Sequence, residues 1–170
     1  MRLRRNSVVA VTALFILIGQ MPVLAADPAS YAGAQACASC HPAQTRAWQG
    51  SHHARAMQPA RPSAVLGDFS GATVQHAGVT TTFFRDGDRY MVRTDGPDGG
   101  LHDYQVAYTF GVYPLQQYLI PFPDGRYQAL GIAWDSRKRE QGGQRWFSLY
   151  PAQALRGGDR LHWTGRDQTW

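Results

Sequence analysis

About two thirds of the chain, toward its C-terminus, consists of short runs of β-branched and aromatic residues separated by Gly, Pro and Asp. Apolar and polar side chains alternate with a period of two along residues 104–110, as in a half-buried strand. Asp86-Gly87-Asp88 and the stretch 121–125 have the composition of hairpin turns. The runs that predict strands are residues 73–75, 79–84, 90–93, 104–110, 117–120, 127–133 and 145–150. We therefore expect a small antiparallel β unit from residue 63 onward.

Residues 31–62 differ in composition, because they are rich in Ala, His and Gln and poor in β-branched residues. Pro42 suits the first position of a helix, and Gly50 suits its end. This pattern predicts a helix over residues 43–49 and a second helical turn over residues 52–57. The expected fold class is α+β, with a short helical segment followed by the antiparallel β unit.

The first 25 residues have the three parts of a signal peptide. A basic start with Arg2, Arg4 and Arg5 precedes an apolar run over residues 8–18, and small residues follow around Ala25. The apolar run is too short to cross a bilayer comfortably. The sequence thus predicts a periplasmic or otherwise exported protein, cut after Ala25 or alternatively after Ala26, and without a stable membrane span afterwards.

The charge of the chain changes when this segment is removed. The full chain has 17 Lys and Arg against 12 Asp and Glu, a formal net charge of +5. Three arginines leave with the signal peptide, so the predicted mature chain carries a net charge of +2. The remaining basic residues are scattered along the sequence, and Glu140 follows their only run, at residues 137–139. This distribution gives no reason to expect nucleic acid as a partner.

The stretch Cys37-Ala38-Ser39-Cys40-His41 contains the only two cysteines of the chain and has the form C-x-x-C-H. This is the pattern of a c-type haem attachment site. Two residues between the cysteines let one short turn present both thiols to the two vinyl groups of haem. The histidine that follows becomes an axial iron ligand. We predict Cys37 and Cys40 as thioether anchors of haem c and His41 as its proximal ligand.

Three other interpretations of this cysteine pair are open. A thioredoxin-like redox site would need a βαβ context, but the surrounding sequence is Ala-rich and is followed by Pro42. A zinc site would need histidines to complete it, because no second C-x-x-C exists. A disulfide between such close cysteines would be strained and would close a very short loop.

The second axial position decides what a bound haem does. A His or Met ligand there favours electron transfer, and an open position favours gas binding or catalysis. His52 and His53 follow His41 by 11 and 12 residues, a separation that can reach around a haem edge. We therefore predict His53 as the candidate distal ligand and His52 as the second candidate. The other side chains able to ligate are Met57, His76, His102 and His162.

The prediction of haem divides the chain into three parts. Residues 1–25 are the signal peptide, residues 26–62 are the haem c attachment segment, and residues 63–170 are the β-rich region.

The sequence around the haem motif resembles the opening of multihaem cytochromes c of the tetrahaem type, which are often joined to tetratricopeptide repeats. The resemblance rests on Tyr31-x-Gly33-x3-Cys37-x2-Cys40-His41, then Trp48-x2-Ser51-x-His53-Ala54, then Met57. Further stretches resemble the same group, namely residues 65–69, 108–111, 114–118, 122–125, 133–135, 143–147 and 162–166.

This resemblance implies an electron carrier in which the position of His53 serves as a distal ligand, often to a neighbouring haem. Such proteins carry several C-x-x-C-H motifs, whereas this chain has one. The resemblance therefore implies that this chain is the N-terminal part of a longer cytochrome, truncated at the C-terminus. Its partners would be a periplasmic redox protein or other haem domains. The alternatives are a haem enzyme or gas-binding sensor with an open distal site, and a non-haem β-rich binding module.

Overall fold

The computed structural model describes residues 30–170, so the predicted signal peptide lies outside the described residues. Residues 37–170 form one compact unit. The helices are α1 (Gln35–Ala38) and α2 (Pro42–Gln49). The strands are β1 (Met57–Pro59), β2 (Ala72–His76), β3 (Val79–Asp86), β4 (Arg89–Asp95), β5 (Leu101–Gln105), β6 (Tyr108–Phe110), β7 (Leu115–Pro121), β8 (Tyr127–Ala129), β9 (Ile132–Asp135) and β10 (Arg145–Ser148). Two short helices followed by antiparallel strands confirm the α+β prediction.

The first sheet has four antiparallel strands in the order β2-β3-β4-β5. The β3–β4 hairpin turns at the predicted Asp-Gly-Asp sequence, with Asp86 opposite Arg89 in the register. The loop after β4 is closed by a hydrogen bond from Gly96 N–H to Gly100 O at 2.8 Å. Three of the predicted strands, at 73–75, 79–84 and 90–93, thus lie inside this sheet.

The second sheet has six strands in the order β1-β6-β7-β9-β10, and β8 also pairs with β7. The expected strand at 127–133 is wrong as a single element, because β8 and β9 lie one after the other along the same edge of β7. Leu130 and Gly131 separate them as extra residues in the register. The Leu130 side chain is buried in the core, and its N–H still donates to Tyr118 O at 3.0 Å.

The expected strand at 104–110 is also two elements, because the chain changes sheets in its middle. Val106 N–H donates to Tyr90 O in the first sheet, whereas Ala107 N–H donates to Leu119 O in the second, each at 2.9 Å. Strands that switch sheets in this way form the corners of packed β structures. The alternation of side chains continues through the corner, so periodicity alone could not reveal it.

A cluster of aromatic rings fills the space between the sheets. Phe69 is 5% exposed and makes edge-to-face contacts with Phe83, Tyr90, Tyr118 and Trp146, with ring centroids 5.0–5.6 Å apart. Burying one such side chain stabilises a fold by about 1.5–3 kcal/mol. The cluster also includes Val92, Val106, Ile120, Leu130, Ile132, Trp134 and Trp163. Both sheets therefore share one core.

The segment before the first sheet has a different character. Among the described residues up to Gln49, neither α1 nor α2 contains a buried side chain. The predicted helix at 43–49 is confirmed by α2, which begins at Pro42 and is followed by Gly50. The predicted helical turn over 52–57 is wrong at its end, because Met57–Pro59 form strand β1 and pair with β6. Pairing with an available strand outweighs local propensity in so short a segment.

Candidate functional site

The two cysteines and the following histidine lie on one turn of the chain. Gly33 precedes this turn with φ +75°, a left-handed conformation that glycine adopts readily. The His41 N–H donates to Cys37 O at 3.0 Å and closes the turn. Cys37 and Cys40 are both exposed and unbonded to each other. One turn of the chain therefore carries both exposed thiols.

His41 lies between the two helices and immediately precedes α2. Its carbonyl accepts the Thr45 N–H at 3.0 Å, and Pro42 occupies the start of the helix. The His41 side chain makes no capping hydrogen bond to this helix, and the residue is exposed. Its imidazole is thus available as a ligand to a group held by the cysteines.

These residues fit a covalently attached haem. Two exposed thiols and an exposed imidazole on one turn are the donor set of haem c attachment. An eight-residue helix without a buried face is marginal by itself, since helices in proteins depend on packing of an apolar face. A haem bound at this turn would offer α2 an apolar surface on which to pack. Residues 30–170 contain no group of three or more His, Cys, Asp or Glu side chains placed to hold a metal ion.

The turn that carries His52 and His53 is tied to the end of α2 by Ser51. The Ser51 hydroxyl donates to Trp48 O at 2.6 Å and accepts the Ala54 N–H at 3.3 Å. The two histidines therefore follow α2 in a fixed local geometry rather than on a free linker. Both are exposed.

The two histidines have different surroundings. The His52 ring lies 6.3 Å from the Tyr113 ring, centroid to centroid. Within the described part of the chain, no ring contact or side-chain hydrogen bond involves His53. His52 therefore lies beside the loop between β6 and β7, whereas the His53 ring has neither kind of contact within residues 30–170.

Two residues outside the motif attach this segment to the second sheet. Ala56 O accepts the Gly111 N–H at 2.6 Å just before β1 begins. Gly111 has φ +89°, and a Cβ there would lie 2.8 Å from Leu115 O, so only glycine fits. The buried Gln116 amide then donates to Gly111 O at 3.2 Å and to Ala64 O at 3.0 Å. Sequence reasoning assigned no structural role to Gln116, because a polar residue inside a strand gives no sign that it is buried.

Gln116 also accepts hydrogen bonds through its Oε1 atom. The Leu66 N–H and the Tyr118 hydroxyl each donate to it at 2.8 Å. Burial raises the pKa of Tyr118, so its hydroxyl stays protonated and keeps this donor role. Gln116 thus links the loop at residues 64–67 with the loop between β6 and β7, whose Gly111 N–H donates to Ala56 O.

The remaining histidines have partners within the β-rich region. His76 Nε2 lies 2.9 Å from Gln153 O, and His102 Nε2 lies 2.9 Å from Asp98 Oδ1. His162 is 3% exposed, and its Nε2 lies 3.0 Å from Asp95 Oδ2. These contacts assign the three residues to the β structure rather than to the haem turn. Met57 is 39% exposed and pairs with Phe110 in the sheet.

The Asp95–His162 pair also affects the pKa of a buried carboxyl group. Burial acts to raise the pKa of Asp95. The hydrogen bond and charge of His162 and the hydrogen bond of the Thr94 hydroxyl act to lower it, and together they outweigh the effect of burial. The net effect is an Asp95 pKa below its ordinary value. The neighbouring Trp163 indole donates to Asp95 O at 2.7 Å, which fixes the C-terminal segment on the end of β4.

Comparison with known proteins adds one finding. Residues 36–76 match the family described as Cytochrome c554 and c-prime. The matched part begins at the haem turn, contains α2 and both candidate histidines, and ends with β2. It covers about a quarter of the chain. The match supports a relationship to cytochromes c, with haem as the cofactor and electron transfer as the activity that this implies.

No curated protein and no solved structure matched the chain. Within residues 30–170, none of the helices is both long enough and apolar enough to span a bilayer.

Proposed function

We propose that this chain is an exported c-type cytochrome, or the N-terminal part of a multihaem cytochrome c, that binds haem covalently and transfers electrons. The observation that carries the proposal is the haem turn itself. It combines two exposed thiols, an adjacent imidazole that makes no capping hydrogen bond, and two helices, α1 and α2, without a buried side chain. The family match over residues 36–76 supports the same function.

The residues of the turn have distinct roles in this proposal. Cys37 and Cys40 form the thioether bonds, and His41 ligates the iron from the proximal side. His53 is the proposed distal ligand, because its imidazole is exposed and makes no ring contact or side-chain hydrogen bond among the described residues. The bound iron supplies a one-electron couple between Fe(II) and Fe(III). The protein sets the potential of that couple through its ligands and the polarity around them.

Export and the partners form part of the same proposal. Covalent haem attachment takes place outside the cytoplasm in bacteria, so the predicted signal peptide and the haem motif are consistent with each other. We propose a periplasmic redox protein, or further haem domains of a longer chain, as the electron donor or acceptor.

The experiment is expression in cells with a working c-type maturation system, followed by mass spectrometry and a pyridine haemochrome assay. We expect the mature chain to carry the mass of one haem through bonds that survive denaturation. Replacing Cys37→Ala or Cys40→Ala is expected to weaken or abolish this attachment, whereas Ser39→Ala, between the two cysteines, retains it. A colourless mature protein without added mass would overturn the proposal.

Carbon monoxide distinguishes the electron carrier from a haem enzyme or gas sensor. A carrier with two strong axial ligands shows no shift of the Soret band when the reduced protein meets carbon monoxide. A large shift would instead indicate an open or weakly held distal position and would favour the alternative.

A further inference from the structure

The β-rich region contains a cavity to which the haem segment contributes no residue. It lies among the β2–β3 turn, strands β3 and β4, the junction of β8 with β9, and the C-terminal segment. Its volume is about 60 Å³. A protein cavity of about 150 Å³ holds benzene, which has six carbon atoms. By that measure the cavity has room for a ligand of about two or three non-hydrogen atoms.

Much of the cavity wall is apolar. Val79, Leu130, Ile132 and the Trp163 indole all line it. Leu161 also lines it and is 36% exposed, so the cavity opens to solvent beside this residue. The carbon atoms of a small ligand would therefore find apolar surface on which to pack.

Four buried polar side chains complete the wall, and their own protons are already engaged. The Thr94 hydroxyl donates to Asp95 Oδ1 at 3.3 Å, which leaves the Thr81 hydroxyl to donate to Thr94 Oγ1 at 2.8 Å. His162 Nε2 lies 3.0 Å from Asp95 Oδ2, and its Nδ1 lies 2.8 Å from Thr164 Oγ1. These side chains consequently have no proton left to donate to a ligand.

Acceptor atoms remain free at the same wall. Asp95 Oδ1 receives only the long bond from Thr94, although a carboxylate oxygen can accept two. Thr81 Oγ1 accepts no hydrogen bond among the described residues, although a hydroxyl oxygen has two lone pairs. The lowered pKa of Asp95 keeps its carboxylate ionised at neutral pH. A ligand that donates protons suits this wall, and a positive charge strengthens its bonds to a carboxylate.

We propose that this cavity binds a short primary alkylammonium ion. Its N–H groups donate to Asp95 Oδ1 and Thr81 Oγ1, and its alkyl group packs against the apolar wall. This site goes beyond the proposed function, because it uses no residue of the haem segment. The best small ligands of three non-hydrogen atoms reach a dissociation constant of about 1 mM, so the site is expected to bind in the range of about 1–10 mM.

The test is a titration of the ¹⁵N-labelled mature chain with ethylammonium chloride at constant ionic strength, followed by NMR. We expect saturable shifts of the Thr81 and Asp95 backbone amides and of the Trp163 indole N–H. The same shifts are expected in the Cys37→Ala, Cys40→Ala variant, so the outcome is independent of whether the chain binds haem. Absence of saturable shifts up to about 100 mM would show that the cavity holds water only and would overturn the proposal.

Two probes of similar size test the chemical class of the ligand. Ethanol has a donor but no charge, and acetate has a negative charge. Ethanol is expected to bind at least about tenfold more weakly than ethylammonium, since hydrogen bonds to charged groups are about twice as strong as neutral ones. Acetate is expected to cause no saturable shift. Equal binding of ethanol and ethylammonium would contradict recognition by the carboxylate charge.

Variants of the wall locate the contact. Thr81→Val keeps the shape of the side chain but removes an acceptor, and it is expected to weaken ethylammonium binding about tenfold. Thr80→Val is the matched control, because Thr80 is the preceding residue of β3 and is exposed. It is expected to change the affinity less than about twofold.

Asp95→Asn is expected to abolish ethylammonium binding, and near-ultraviolet circular dichroism shows whether this variant is folded. Thr81→Val keeps the proposal testable if Asp95→Asn does not fold. Wild-type affinity in a folded Asp95→Asn variant, or in Thr81→Val, would overturn the assigned contacts.

Discussion

At the scale of single residues, two adjacent histidines have different surroundings. Both rings are exposed, and the His52 ring lies 6.3 Å from the Tyr113 ring, whereas the His53 ring has no ring contact among the described residues. We predict that His53→Ala converts the haem-loaded protein from a low-spin to a high-spin spectrum, because the distal ligand is lost. The visible absorption spectrum of the oxidised protein measures this change.

His52→Ala is the matched control, one position earlier in the same turn. It is expected to leave the low-spin spectrum unchanged. A low-spin spectrum that persists in the His53 variant but is lost in the His52 variant would show that His52 is the distal ligand.

A second prediction at this scale concerns Asp95, which is 8% exposed and bonded to His162. Its pKa is lowered in the folded protein, so the stabilisation is present above the unfolded pKa of about 3.9 and is lost as pH falls through the folded value. Asp95→Asn is expected to lower the free energy of unfolding by about 2 kcal/mol at pH 7, because the mutant loses hydrogen bonds to an ionised carboxylate. The difference from the wild type should shrink below about pH 4.

Urea unfolding between pH 2.5 and pH 7 measures this dependence. Asp88→Asn is the control, because its side chain is fully exposed at the tip of a hairpin, and it is expected to change stability by less than about 0.5 kcal/mol. A constant difference between Asp95→Asn and the wild type across the whole pH range would show that the carboxylate charge is not involved.

At the scale of elements, the buried side-chain amide of Gln116 connects strand β7 with two neighbouring loops. Gln116 is 1% exposed, and its side-chain amide forms hydrogen bonds with Ala64 O, Leu66 N and Gly111 O. It therefore connects the loop at residues 64–67 with the loop between β6 and β7. Gln116→Leu keeps the volume but leaves these buried groups unpaired, and each unpaired group costs about 1–3 kcal/mol. We expect a loss of at least 3 kcal/mol in the free energy of unfolding, measured by urea titration.

Gln75→Leu is the control for this substitution, since Gln75 is exposed and makes only a 3.4 Å contact with Thr80. It is expected to change stability by less than about 0.5 kcal/mol. Similar losses in both variants would mean that leucine is poorly tolerated in these strands generally, and that the Gln116 hydrogen bonds are not the cause.

The elements also show where local patterns were insufficient. The Asp-Gly-Asp turn and the strands on either side of it could be predicted, because turn composition and alternation are local properties. Strand β1 could not, because Met57–Pro59 become a strand only by pairing with β6, about fifty residues later. The change of sheet between Val106 and Ala107 depends in the same way on which strands are available as neighbours.

At the scale of the whole molecule, the β-rich region carries its own core. The clustered core residues run from Phe69 to Trp163 and include no residue of α1 or α2. We predict that the Cys37→Ala, Cys40→Ala variant, which cannot attach haem, keeps its thermal midpoint by near-ultraviolet circular dichroism within about 4 °C. In a chain of this size such a shift corresponds to about 1 kcal/mol.

The contrasting expectation applies to the helices. Because α1 and α2 bury no side chain among the described residues, their far-ultraviolet helical signal should decrease in the same variant. A large loss of the near-ultraviolet signal would show instead that the β core depends on haem.

The sequence by itself determined the fold class of this protein and predicted the chemistry that is proposed for it. Thiols two residues apart and an adjacent imidazole can meet one porphyrin whatever surrounds them, because one turn of backbone brings them together. Only the tertiary structure decided that His162 and Asp95 pair in the interior and that Gln116 is buried between loops. The reason is that burial and pairing depend on neighbours distant in sequence, which local composition does not specify.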